Sequence, residues 1–202
     1  MLRTAGALLA AGLFLGCSSD EAPSPEALPA PPTTSRAPLD PAGLEPLVLD
    51  DAPTGYALAG DDVGRTGATD LEAAAADAGD PGAVAALADA GFVRGWQRLW
   101  VGDDGHDELF LLVYEFEDAD GADAFFRRTA GEAADDGGEG VFEVPAIPGA
   151  VGVSGGAEDL AVNAVIAASG PYLVQVIGNG PAPGPSQGTV VALAAAQVAR
   201  LA

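Results

Sequence analysis

Cys17 is the one thiol of the chain and His106 the one imidazole, so nucleophilic catalysis would have to be built around either, or acid–base catalysis around paired carboxylates. His106 lies in the acidic run GDDGHDE at 102–108, directly behind Gly105. A serine hydrolase needs an imidazole held by packing and aimed at its serine, and a glycine-flanked turn gives no such support. Val153-Ser154-Gly155-Gly156 is not read as a G-x-S-x-G nucleophile motif, and no H-E-x-x-H pattern occurs. With 30 Asp and Glu in the chain, carboxylate pairs arise everywhere by chance. We therefore expect no catalytic residue and no cofactor, and a protein that is not an enzyme.

Two acidic runs have the composition of a cation loop. Aligning Gly121 of EDADGAD, 117–123, with the glycine of an EF-hand places Asp118 and Asp120 correctly. Position one then becomes Phe116 and position twelve Arg127, so the pattern fails at both ends. Helix capping is the expected role of these acids, which favour the positive end of a helix. The run 103–108 is expected to be a solvated loop tip, and no metal site is assigned.

The most suggestive cluster is FVRGWQRLW, 92–100. On a strand, Phe92, Arg94, Trp96, Arg98 and Trp100 fall on one face. Arg94, Trp96, Arg98 and Trp100 could form a recognition face, because Trp and Arg are enriched at binding hot spots. Alternatively, the indole rings pack under helices while the arginine stems reach out to pair with acids. The alternation leads us to expect one indole buried and Trp100, beside the acidic turn, partly exposed.

Cys17 follows an apolar run at 5–15 that begins after a single Arg. A short positive region, about a dozen apolar residues and a small residue describe a secretory signal, too short for a permanent span. Leu13-Phe14-Leu15-Gly16-Cys17 resembles the lipobox of bacterial lipoproteins, with Phe14 where an aliphatic residue is usual. The resemblance implies cleavage before Cys17, acylation of its sulfur with palmitate-like chains, and attachment to a cell membrane. Two or three acyl chains at about 0.8 kcal/mol per buried CH2 make a stable anchor. Residues 1–16 are thus read as signal peptide. Residues 17–44, with seven prolines at 23–41, are read as a lipidated cysteine followed by a disordered linker.

The eight basic residues are all Arg, and the formal net charge is −22. Such a chain has no bulk attraction for nucleic acid or anionic headgroups. The acids are unevenly spread, none lying between 160 and 202, so the C-terminal third reads as interior.

The elements that must position these residues follow from pattern. The run 109–114, FLLVY after Leu109, is apolar on both faces and predicts a central strand, paired with 92–101 across the acidic turn. Thr69 and Glu72 form a capping box for a helix through 78, ended by Gly79. Asp80 and Pro81 open a second helix reaching 90, and a third, from 120, carries Phe125, Phe126 and Thr129 inward. Short strands are expected at 47–49 or 56–58 and at 141–144, a hairpin over 161–168 and 172–177, and a closing helix over 189–201. The connections are too short for parallel crossovers, so the expected fold is one α+β domain, 45–202, with an antiparallel sheet of about five strands and Ala-rich helices on it.

The runs TDLEAAA at 69–75, AGFVRGWQRLW at 90–100, YEFEDADGADAFF at 114–126 and VPAIPGA at 144–150 resemble secreted lipoproteins of GC-rich Gram-positive actinobacteria. That resemblance implies a membrane-tethered extracytoplasmic domain and brings no catalytic residue with it. The expected function is a non-enzymatic binding or interaction domain of the cell envelope, with a protein or small molecule as partner and no nucleic acid. A carrier that holds a lipid between sheet and helices is the second reading, and a hydrolase the third.

Overall fold

The chain is described by a computed structural model over residues 41–60, 63, 65–136, 140–157 and 159–202. The signal segment, Cys17 and nearly all of the proline-rich linker lie outside the described residues. The chain divides into units at 1–36 and 37–202, and the second carries everything that follows.

Strand β4, Glu108–Phe116, is buried on both faces, as its unbroken apolar run predicts. It pairs antiparallel with β3, Phe92–Gly102, across the acidic turn, and on its other side with β8, Tyr172–Pro181. β7, Leu160–Ser169, then β6, Val151–Ala157, and β5, Gly140–Glu143, extend the sheet beyond β8, every pair antiparallel. Two three-residue strands, β1 at Tyr56–Leu58 and β2 at Gly67–Thr69, share the outer edge of β3. The sheet therefore has eight strands in the order β1-β3-β4-β8-β7-β6-β5, with β2 also paired to β3. The expectation of about five undercounts because β2 and β6 carry almost no strand signal. β6 reads VGVSGGA, and its Gly152 leaves room for the ring of Phe142 to lie across the strand.

Helices cover both faces. On one, α4, Gln187–Leu201, lies across β7 and β8, and a 3-10 helix, Pro41–Leu47, lies across β3. The other holds α1, Leu71–Ala78, α2, Ala83–Asp89, and α3, Ala119–Asp136. Alternation along β4 separates the two cores: Leu109, Leu111 and Val113 face α4, while Phe110, Leu112 and Tyr114 face α1 to α3.

Several boundaries move by a few residues. Asp70, not Thr69, caps α1, its carboxylate accepting from the Ala73 amide at 2.9 Å, and Thr69 is instead the buried last residue of β2. α2 starts at Ala83, because Asp80 spends its carboxylate on the Gly82 amide and on Arg128. Residues 47–49 form no strand. Leu44, placed at the end of the linker by composition, is fully buried, so the ordered chain already includes the 3-10 helix.

Candidate functional site

The Trp–Arg face of β3 is covered. Trp100 is fully buried and Trp96 retains 8% exposure; both belong to the core beneath the 3-10 helix, with Leu44 and Val48. The expected order of exposure is reversed because β1 pairs over the outer end of β3, Leu58 lying opposite Trp100. A register shift between Phe92 and Arg94 turns Phe92 to the opposite core, where its ring meets Tyr114 edge-on at 5.5 Å. Arg94 Nε donates to Glu115 at 2.5 Å, and the buried Arg98 reaches Glu45 at 4.0 Å. Trp96, Arg98 and Trp100 are thus brought together under cover, while the Arg94 side chain stays 18% exposed beside Glu115.

The acidic runs serve local folding. Asp118 Oδ1 accepts from the Gly121 amide at 2.8 Å at the start of α3. Asp104 Oδ1 accepts from the His106 and Asp107 amides, which holds its carboxyl below the usual range. No group of three or more potential metal ligands occurs among the described residues. Contrary to the expectation that no G-x-S-x-G occurs, the letters Gly152-Val153-Ser154-Gly155-Gly156 meet that spacing. The geometry nevertheless gives no nucleophile. Ser154 sits inside an antiparallel strand, donates to Asn163 Oδ1 at 2.9 Å and accepts from Gln187 Nε2 at 2.8 Å. β7 and β8 separate its strand from β4, about 14 Å at ordinary strand spacing, and His106 lies exposed in the turn beyond.

The candidate site is a groove of about 550 Å³ on the α1–α3 side. Its floor is Phe110, Leu112 and Tyr114 of β4 with Gln175 and Ile177 of β8, in direct register as Phe110 opposite Ile177 and Leu112 opposite Gln175. Tyr114 lies flat here because Gly95 on β3 has no side chain; a Cβ there would stand 2.7 Å from the ring. One wall is the end of α1, with Asp77, and the other is α3, with Phe125, Arg128, Thr129 and Glu132. Arg128 bridges the two walls, paired with Asp80 and, at 2.8 Å, with Glu132.

Arg65 closes one end, its guanidinium carbon 5.5 Å from the centroid of the Phe110 ring. A smaller hollow of about 390 Å³ shares Arg65, Phe110 and Ile177 and adds Glu108 and Asn179, whose amide donates to Glu108 at 3.1 Å. Burial pushes the Asp77 carboxyl up against the opposing charge of Arg65, and burial together with the charge of Asp77 pushes the Tyr114 hydroxyl up. The groove presents polar and apolar groups side by side: an apolar floor, one amide, one phenol and charges of both signs.

None of these residues is assigned to a site by the sequence: Phe125, Thr129 and the run 109–114 read as core, and Asp80 as a helix cap. One signal was available: Gln175 interrupts the apolar strand YLVQVIG at a position that must face a core. Arg65 was visible only as one of eight cations in an acidic chain.

No helix among the described residues is long and apolar enough to cross a membrane. No protein-family model and no curated protein sequence matches the chain. Its fold is similar to the crystal structure of the extracellular domain of PknH from Mycobacterium tuberculosis, at 16% identity and a TM-score of 0.51, over 81% of this chain and 98% of that one.

Proposed function

We propose that this chain is a lipid-anchored, non-catalytic binding domain on the extracytoplasmic face of a cell membrane, and that the groove between α1 and α3 holds its ligand. The observation that carries the reading is the groove itself, within the 300–1,000 Å³ range of small-molecule sites, in a domain whose other sheet face is filled by Trp96, Trp100 and the α4 side chains. The fold likeness to an extracellular domain supports the placement outside the cell, and the lipobox-like run before Cys17 supports the anchor. The carrier reading draws on the apolar floor between sheet and helices. The charged rim favours a ligand with polar groups of its own over a plain lipid tail.

Native mass spectrometry of the full chain purified from its host membranes tests the site. A co-purifying small molecule, lost when Thr129→Trp fills the groove from α3, is expected. A chain that carries no adduct, or an adduct indifferent to Thr129→Trp, would remove the groove from consideration. For the anchor, Cys17→Ser should abolish labelling by a radioactive fatty acid; undiminished label would reject it.

A further inference from the structure

The geometry points to a small zwitterion with an apolar side chain, an α-amino acid or short peptide, as the occupant of this groove, its carboxylate on Arg65 and its ammonium on Asp77. The inference rests on the binding-domain reading above and narrows it to a class of ligand.

The charges of the groove are not equivalent. Arg128 is consumed by Asp80 and Glu132, and Glu108 by Asn179. Arg65 and Asp77 line the same groove, yet neither side chain makes a hydrogen bond or ion pair among the described residues. They sense each other electrostatically without touching. An open guanidinium and an open carboxylate, lining one groove whose floor holds Phe110 and Leu112, form a complementary pair of end stops. The guanidinium presents a planar fork suited to a carboxylate, and its position over Phe110 limits where that fork can sit. A carboxylate accepts from an ammonium in the same way at the other stop.

Net charge decides among the alternatives. The chain carries −22, so an anion matched to Arg65 alone would be repelled over the whole approach. A cation matched to Asp77 alone would be drawn in but would share the groove with an uncompensated guanidinium. A zwitterion is neutral overall, answers both groups and leaves its side chain for the apolar floor.

Isothermal titration of the full-length chain in detergent, with L-leucyl-L-leucine, N-acetyl-leucyl-leucine, leucyl-leucine amide and free L-leucine, tests this. The dipeptide should bind, and each capped form, lacking one charge, should bind about tenfold to a hundredfold more weakly. Arg65→Gln should erase the discrimination against the amide, and Asp77→Asn that against the acetyl form. Free leucine binding as tightly as the dipeptide would assign the site to amino acids, and weaker binding to peptides. Equal binding of either capped form, or no binding of either zwitterion by a chain with native circular dichroism, overturns the inference. The capped peptides decide even if a variant fails to fold. Should mass spectrometry find an adduct displaced by Thr129→Trp while the zwitterions fail, the groove survives as a site and only the ligand class falls.

Discussion

Along β4, Leu109, Leu111 and Val113 point to one side of the sheet and Phe110, Leu112 and Tyr114 to the other, and the two sides are completed in opposite ways. Towards α4 the gaps are filled by two indole rings, by Leu44 of the 3-10 helix and Val48 just after it, and by Val190 and Leu193. Towards α1 to α3, equally apolar strand residues pack with Leu87 and Phe125 but leave beside that core a groove rimmed by charge. The same strand thus supplies a packed core on one face and a floor on the other. Apolar alternation specifies that both faces be covered; how tightly they are covered depends on the helices. α1 and α2 are short and Ala-rich, with little side chain to fill the space, whereas α4 brings Val, Leu and a buried Gln.

The largest effect should come from breaking the filled face. Trp100→Ala removes a fully enclosed indole and should cost about 3–5 kcal/mol in denaturant unfolding, Trp96→Ala somewhat less. In the native chain both indoles should emit blue-shifted light and resist iodide. Phe110→Ala should fall at or below the low end of that range, since the vacated volume opens into a groove that water already enters. Equal costs at Phe110 and Trp100 would erase the distinction between the faces.

Next is Gln197, fully buried on α4, whose amide accepts from Leu49 N and donates to Leu47 O, each at 2.9 Å. This one side chain ties the segment after the 3-10 helix to the last helix. Gln197→Leu keeps the volume but leaves two backbone groups unpaired, at about 1–3 kcal/mol. Proteolysis should then cut first near 41–49. Unchanged stability together with unchanged cleavage would show that the filled face does not depend on this tie.

Much of this was legible beforehand and some was not, for physical reasons. The run 109–114 predicted a central strand because only a strand covered on both faces can be apolar at every position. The α3 start was visible in Asp118 and Asp120, since capping is local. By contrast β2 and β6 owe their pairing to neighbours: Gly67-Ala68-Thr69 has no strand preference until β3 lies beside it. Alternation puts Arg94, Trp96, Arg98 and Trp100 on one face but not Phe92, which a register shift turns away, and the cover comes from residues fifty positions earlier, in a segment whose prolines resemble linker. The groove was hidden altogether, because a space between α1, α3 and β8 has no signature in any one of them.

Tyr114 offers a probe of the grooved face by pH. Its hydroxyl is pushed above the ordinary value of 10.0, so the unfolded chain loses this proton first as pH rises. The contribution is intact below about pH 10 and declines above it, by about 1.4 kcal/mol per pH unit for one proton. Tyr114→Phe should remove that part of the alkaline slope and leave the remainder to Tyr56 and Tyr172, also raised by burial. An identical slope in the variant would mean that the phenol is freely solvated by the groove.

The smallest effect is expected at Arg128, which bridges the walls by pairing with Asp80 and Glu132. All three side chains are a third to half exposed, and ion pairs of that kind contribute about 0–1 kcal/mol. Arg128→Ala should therefore cost under about 1 kcal/mol at low salt, and the difference should shrink towards zero in 1 M salt as screening removes the pairing. Binding should respond more than folding does. With the guanidinium gone, Asp80 and Glu132 are uncompensated, and a peptide carboxylate entering towards Arg65 meets a more negative wall. Leucyl-leucine should weaken severalfold while leucyl-leucine amide gains. A folding loss of 3 kcal/mol or more, insensitive to salt, would contradict the comparison at its root. The bridge would then be holding the walls apart, and the grooved face would be as firmly specified as the filled one.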